Sequence, residues 1–473
     1  LSLSCLLLYL LVRRLVGPKR LPLPPGPKGL PLIGNLLDIP STRACVVYRE
    51  WGLKYGDVVH AAAMGKHFII LNSLKASLDL LDYRSINYSD RPPMPMLHDE
   101  DLMNAGWAFP LMRYNYRWKK YRRLFMQYLG PSGARAFHGR QAKSVHILLR
   151  TLLDDQRRYG DHLKYAAASI VLGIAYGFDV RPDGDPHLDL GIRMSQYTAE
   201  GLGTSFLVNV FPCAKRIPAW CPGGGFHAFA AKARELNKEL LNVPYEASKK
   251  KIIEGTATPC FVGNVMPELQ ETSDPELVDD VKAVAAAIYA AGSDSTVAAL
   301  HNFILAMLIH PHVQQRIQEE LDQVCESPNS PSFRLPTHND RSSLPYLEAA
   351  LKESLRWIPP LGTGVPHACS EEDVYRGWRI PEGSIVVANA WGILHDEKLY
   401  PEPFVFRPER FLSEKYGGSN KLQPDPGASG VFGFGRRLCA GRHLAESALW
   451  IEAAGLLAAF TIEHAQDENG NEI

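Results

Sequence analysis

A single cysteine in a glycine-punctuated loop is the residue of this chain best placed to do chemistry. Cys439 lies in Phe432-Gly433-Phe434-Gly435-Arg436-Arg437-Leu438-Cys439-Ala440-Gly441, ahead of an apolar run from Leu444 to Phe460 that reads as a helix. A thiol near a helix start is drawn toward thiolate by the helix dipole, by backbone N–H groups without partners and by nearby arginines. Gly435 and Gly441 would let the backbone bend tightly around whatever the sulfur holds. A lone loop cysteine is ordinarily a small buried hydrophobe, so its company decides the reading. Trp118 and Arg122 sit four apart on one face of a helical stretch. Asp294, Ser295 and Thr296 follow Ala290-Ala291-Gly292-Ser293 in the middle of a long helical pattern, and Glu353 and Arg356 are three apart. Pro408-Glu409-Arg410-Phe411 and Val365-Pro366-His367-Ala368 complete the set. Each has a plain explanation when taken singly: a surface ion pair worth roughly a few tenths of a kcal/mol, hydroxyls bonded back to helix carbonyls, an exposed loop histidine.

Taken together and in this order, the segments resemble the motifs of the cytochrome P450 family, at all five fixed positions of the cysteine loop (Phe432, Gly435, Arg437, Cys439, Gly441). The resemblance spans nearly everything from Pro24 onward, and its flavour is that of the fungal microsomal members, enzymes of secondary metabolism. It implies haem b, with Cys439 as the axial iron ligand, Phe432 packed as a guard for the sulfur, and Arg437, Trp118, Arg122 and His367 set on the haem propionates. Haem-thiolate centres of this family push electron density toward O–O cleavage, a general property and not one read from this chain. Glu353, Arg356 and Arg410 would form a buried ion triad bracing the loop. Asp294 and Ser295 would be the acid–alcohol pair that delivers protons. Serine 295 stands where the family has threonine; it keeps the hydroxyl and loses the methyl that restrains the rotamer, so proton delivery is expected to survive with leakage to peroxide, Thr296 being a substitute hydroxyl. The implied reaction is insertion of one oxygen atom of O2 into a lipophilic small molecule, with electrons from an NADPH-dependent cytochrome P450 reductase. A haem-thiolate isomerase or dehydratase and a non-catalytic haem-binding protein are the rival readings; the first would need neither O2 nor reductase.

The elements that must position these residues read as mainly α with a small β-sheet subdomain, the cytochrome P450 fold, with haem between the long central helix and the helix after the cysteine loop. The pattern from Thr42 to Tyr55 is helical, and Val58–Ala63 and His67–Leu71 read as a strand pair turned at Gly65. A long loop from Arg91 to Phe109 falls, by the resemblance, over the substrate end of the haem. Residues 141–254 read as helices broken near 181–186 and 211–225; by the resemblance this zone closes the substrate pocket, with Leu202–Phe211 touching substrate. Ser273-Asp274-Pro275-Glu276 is a strong helix start and Pro311 the next stop, which predicts a helix of about 50 Å. Glycine inside a helix costs roughly 1 kcal/mol relative to alanine, so Gly292 is read as room for a flat ligand. Gly377–Pro381 and Ser384–Ala388 read as turn and strand, and Phe460–His464 as a strand without a partner, as if the chain were clipped.

Lys+Arg and Asp+Glu are equal at 51 each, so no global field recommends nucleic acid. The eight cysteines include no C-x-x-C pair, which argues against a zinc site or a disulfide framework and fits a reducing compartment. Leu1–Val12 is almost wholly apolar and precedes Arg13, Arg14, Lys19 and Arg20. We read residues 1–20 as the remnant of a membrane anchor with its basic cytoplasmic flank, a cleaved signal peptide being the rival that the lack of a small-residue cleavage site after Val12 disfavours, 21–40 as a stiff proline-rich connector and 41–473 as the catalytic domain. The expected location is the endoplasmic reticulum membrane, with the domain facing the cytoplasm. No G-x-G-x-x-G follows a strand, so a separate reductase is the expected partner, docking on a basic patch of Lys119, Lys120, Arg123, Arg436 and Arg442.

Overall fold

The computed structural model describes residues 21–467 and 472, apart from 183, 203–205, 273 and 419. The expected anchor (1–20) and Ser273 of the expected helix start lie outside them. The fold is mainly helical with small sheets, as the sequence predicts. The helices of twelve residues or more are α1 (Ala44–Tyr55), α2 (Tyr116–Leu129), α3 (His138–Asp154), α4 (Tyr159–Tyr176), α5 (Pro186–Leu202), α6 (Phe226–Ile253), α7 (Phe261–Thr272), α8 (Pro275–Ile309), α9 (Pro311–Cys325), α10 (Pro345–Trp357) and α11 (Arg442–Ala459).

Everything packs around α8. Asp274 caps it, Oδ1 accepting from Glu276 N–H at 2.9 Å, Pro275 fills the first turn and Pro311 stops the ladder at the far end. Its alanine-rich first half is buried almost without interruption from Val281 to Tyr289. Small side chains let neighbours come close: a Cβ on Gly292 would stand 2.7 Å from Val171 Cγ1 of α4. The glycine is therefore explained by helix–helix approach, which corrects the expectation that it clears space for a flat ligand. The helix is long and apolar enough to cross a membrane, but α4, α6 and α11 pack on it within the core.

The strands β1 (Val58–Ala63), β2 (Lys66–Leu71), β3 (His367–Ala368) and β6 (Ile385–Ala388) form one sheet in the order β1-β2-β6-β3, and β4 (Asp373–Tyr375) pairs with β5 (Trp378–Ile380). β2 and β6 run parallel, so the two ends of the sequence are joined in one sheet and His367 is fixed by pairing with Val386. The proline-rich stretch lies on this sheet and does not stand off as a free connector. His60 N–H donates to Pro25 O at 2.9 Å, Arg379 N–H to Pro22 O at 2.8 Å, and Ala62 N–H to Asn35 Oδ1 at 3.0 Å. Prolines that cannot donate and a Gly26 whose Cβ would strike His60 O at 1.8 Å suit a segment laid against the edge of β1. At the other end Phe460–His464 is not a strand. The Gln314 side chain takes the place of a strand partner, Oε1 accepting from Ile462 N–H at 2.7 Å and Nε2 donating to its carbonyl at 3.0 Å.

One buried group has no such partner. Glu452, in the middle of α11, is fully buried, and neither carboxyl oxygen is hydrogen-bonded among the described residues. Burial pushes its carboxyl up to about 8, so the folded protein holds a proton there that the unfolded chain releases near the ordinary 4.5. A folded-state value above the unfolded one gives stability that is full below the unfolded value and is lost as pH rises toward 8. Glu452→Leu should therefore raise the melting temperature, with an advantage over wild type that widens between about pH 5 and pH 8, at most about 5 kcal/mol. Thermal melts across that range check it; a pH-independent difference would contradict it.

Candidate functional site

The cysteine loop is closed by its own backbone: Cys439 N–H donates to Phe432 O at 2.8 Å, and the turn continues into α11 through Gly441. Gly435 is required where it stands, with φ +54° and a Cβ that would fall 2.0 Å from Leu81 O. Gly441 is different. Its φ is −84° and a Cβ would meet nothing nearer than Phe125 Cζ at 3.9 Å, so no contact within the chain demands glycine there, and the space beside it is open. Cys439 is itself exposed, although burial of its surroundings pushes the thiol up. The Gly441 N–H, Arg122 and Arg442 pull the other way, and metal binding at such a thiol displaces its proton.

The burial of α8 is broken near its middle. Ala290, Ala291 and Asp294 are exposed in the middle of a helix whose neighbouring turns are buried. Ser295, one position on, is half-buried and donates its hydroxyl to Ala291 O at 3.0 Å, the ordinary back-bond of a helical serine. Thr296 is buried and is not on this face, so the structure does not bring the substitute hydroxyl to it. Asp294 accepts a hydrogen bond from Ser195 of α5.

Arg437 is buried, stacked over the Trp118 ring at 4.4 Å, and donates to the carbonyls of Ser89, Phe109 and Met112. Two of its five N–H groups are left over. Arg91, also buried, spans Pro110 O, Val365 O and Pro366 O. The one buried carboxylate beside them, Asp90, is already held by Arg113 and by the Tyr114 N–H at 2.8 Å. The imbalance tells on the cations: burial and Arg437 bring Arg91 down to about 9, and burial brings Arg437 to about 10 against the pull of Asp90. Arg122 is lowered by burial as well, offset by Cys439. His367 donates Nδ1–H to Tyr88 O at 2.7 Å, and burial, then Arg91, holds it well below its usual range. As a neutral ring it presents only an acceptor at Nε2, so it would have to take up a proton to bind a carboxylate. Under-neutralised guanidiniums in the same region as an exposed thiol suit an apolar disc bearing two carboxylates, which is the chemistry of a haem.

The ion triad is present in full. Arg356 donates to Glu353 through Nε (2.7 Å to Oε2) and Nη2 (2.9 Å to Oε1), and Arg410 Nε reaches Oε1 at 3.2 Å. All three side chains are buried. Arg407 N–H also donates to Glu353 Oε1 at 2.8 Å, Arg356 Nη1 to Leu394 O at 3.0 Å, and Arg410 to the carbonyls of Pro401, Glu402 and Val405. The triad thus fastens α10 to the irregular chain that leads into the cysteine loop.

Three functional features were not read from the sequence. Asp90 and Arg91 precede Pro92-Pro93, and a charged pair in proline-fixed extended backbone was the available signal. Ser195 gave none. The basic patch is smaller than expected: Lys120 is paired with Asp280 on α8 and Arg436 donates to Tyr114 Oη at 2.7 Å, while Lys119 and Arg123 remain exposed.

The model of the cytochrome P450 family matches residues 24–473. A cytochrome P450 monooxygenase of Armillaria gallica is 42% identical over 474 residues, covering 99% of this chain and 91% of that protein. Cytochrome P450 monooxygenase 98 of Postia placenta is 40% identical, over 98% of this chain and 88% of its own length. Tryptamine 4-monooxygenase of Psilocybe cyanescens is 38% identical, over 96% and 89%.

Removing the acid of the triad strands two buried arginines. Glu353→Gln should cost about 3–5 kcal/mol in urea unfolding. Lys75→Ala, which breaks an exposed i,i+4 pair with Asp79, should cost no more than about 0.5 kcal/mol. Equal losses would show that the triad is no more than a surface-type pair.

Proposed function

The chain belongs to the cytochrome P450 family and is a cytochrome P450 monooxygenase with a haem-iron cofactor, and from that premise we propose that it inserts one atom of O2 into a lipophilic small molecule using electrons from an NADPH-dependent cytochrome P450 reductase. The observation that carries this reading is the exposed Cys439 at the head of α11, beside buried arginines that lack counter-charge. Haem b would be held by Cys439 as axial ligand, with Phe432 beside the sulfur and Gly435 and Gly441 shaping the loop. Arg437, Arg91, Arg122 and Trp118 would take the propionates, and His367 would join them on gaining a proton. Bound there, haem supplies the oxygen activation that no side chain can.

The chain's own residues do the rest. The helix start and the Gly441 N–H stabilise charge on Cys439. The guanidiniums neutralise carboxylates that water cannot reach. Met96, Leu97, Met103, Phe109 and Met112 bury the 91–112 loop and keep the region dry and apolar, which supports a lipophilic substrate. Asp294 holds a proton site at the open face of α8. Ser295 can pass a proton onward only by giving up its bond to Ala291 O, which supports the expected leakage to peroxide. Residues 1–20 would anchor the protein in the endoplasmic reticulum membrane with the globule in the cytoplasm, a reading supported by the apolar run and its basic flank.

The reductase would meet the face behind the cysteine loop, where a groove of about 430 Å³ is bordered by Leu78, Phe432, Leu438 and Arg442. Lys119→Glu combined with Arg442→Glu should slow NADPH-driven reduction several-fold at low salt, the gap closing as salt rises. Lys120→Glu should instead cost stability through Asp280. The reading as a whole is checked by the carbon monoxide difference spectrum of the reduced protein. Wild type should give the haem-thiolate band and Cys439→Ala should lose it; an unchanged spectrum in the variant would overturn the assignment of the sulfur.

A further inference from the structure

We propose that Ser195 of α5 is a positioning residue for Asp294: its hydroxyl holds one oxygen of the carboxylate on the open face of α8 and so ties the orientation of that acid to the position of α5. The proposal rests on the functional reading above, in which Asp294 handles protons.

The bond itself is between Ser195 Oγ–H and Asp294 Oδ2. Among the described residues no lysine, arginine or histidine is ion-paired with Asp294, so this hydroxyl is its side-chain partner. That matters for what the acid can do. An ion pair would hold the carboxylate ionised and in place, whereas a single O–H donor leaves the second oxygen free on the open face of α8. Ser295, the neighbouring hydroxyl, is already committed to the Ala291 carbonyl at 3.0 Å. Asp294 is therefore the group on this face whose polar atoms are open to a water chain, and the direction in which it points is set from the opposite helix.

The contact continues a seam between the two helices. At its start the Tyr289 hydroxyl lies 3.1 Å from His187 O and 3.2 Å from Leu188 O, free to donate to either, and Gly191 passes so close to that hydroxyl that a Cβ would sit 1.8 Å from it. Ser195 is one helical turn beyond Gly191, and Asp294 is about 7.5 Å along α8 from Tyr289. The first contact is a tight steric lock that cannot slide. The second is a lone hydrogen bond, with Ser195 half-buried and Asp294 exposed, and it gives way first if the later half of α5 lifts. Lifting α5 releases the carboxylate, and settling α5 re-aims it.

The test uses the full-length, haem-loaded protein with NADPH-cytochrome P450 reductase and no added substrate, comparing wild type, Ser195→Ala, Ser195→Thr and Asp294→Asn. Two routes consume O2. One takes one NADPH and one proton per O2 and releases H2O2; the other takes two NADPH and two protons per O2 and releases two waters. Loss of proton positioning favours the first route. Ser195→Ala should raise the H2O2 released per O2 several-fold, toward the level of Asp294→Asn, and Ser195→Thr, which keeps the hydroxyl, should stay at the wild-type level. Hydrogen exchange on the same proteins without reductase gives a readout independent of turnover. Peptides covering residues 192–202 should exchange faster in Ser195→Ala, while residues 187–191, locked by Tyr289, keep the wild-type rate. Ser195→Ala with a wild-type peroxide share overturns the proposal, as does Ser195→Thr behaving like the alanine variant, since a merely structural serine would give those results. A wild type that lacks the haem-thiolate band sinks the functional reading instead, and is distinguished by the spectrum before any variant is compared.

Discussion

The proposed role of Cys439, holding a large flat cofactor by its sulfur, requires that the sulfur reach the inside of a helical globule without the globule closing over it. The structure meets that constraint by fixing the cysteine loop from outside. Cys439 N–H is tied to Phe432 O, Gly435 passes under Leu81 where no other residue fits, and the start of α11 follows at once. Opposite, α8 is held close to α4 at Gly292 and Val171, so the central helix is rigid where its other face is open. The cysteine loop and the central helix are therefore each fixed by a close contact at a glycine, Gly435 against Leu81 O and Gly292 against Val171.

Charge is arranged with the same economy. Arg91 and Arg437 are buried with one carboxylate between them, and that carboxylate, Asp90, is shared with Arg113. Left alone this arrangement is costly, because buried guanidiniums without counter-ions are expensive. Their N–H groups are occupied largely by backbone carbonyls from Ser89, Phe109, Pro110, Met112, Val365 and Pro366. Those bonds stitch together three distant stretches of chain and leave an electrostatic deficit that two carboxylates would make good. The Glu353–Arg356–Arg410 group is a different case. Its acid is fully engaged by four donors, and it serves to hold the segment from Leu394 to Arg410 in place.

Much of this was legible in the sequence, because short motifs of fixed spacing mark the loop and helix ends that the fold needs. The bounds of α8 followed from proline and capping signals, whereas the cysteine loop and the ion triad came from the resemblance to cytochrome P450 motifs. What was not legible depended on which distant surfaces meet. Gly292 looked like room for a ligand and is room for Val171; Lys120 looked free and is paired with Asp280. Ser195 is an unremarked serine on an amphipathic helix until α5 is laid across α8. The final residues 460–464 have strand-like composition, yet a glutamine side chain on α9 satisfies them in place of a neighbouring strand. Pairwise sequence patterns carry no information about such partners.

The way residues 22–35 lie along β1 has a mechanical consequence. Main-chain bonds at Pro25 and Asn35 load a pull on this segment onto the edge of β1, in shear, while the bond from Arg379 to Pro22 O ties it to the small β4–β5 sheet as well. Because β2 and β6 continue the sheet of β1 toward His367, a tug there is carried by stiff strands and spares the long helices, whose seam with α5 stays unstressed. A leash at the leading end is thus borne by one corner of the globule, away from the long helices.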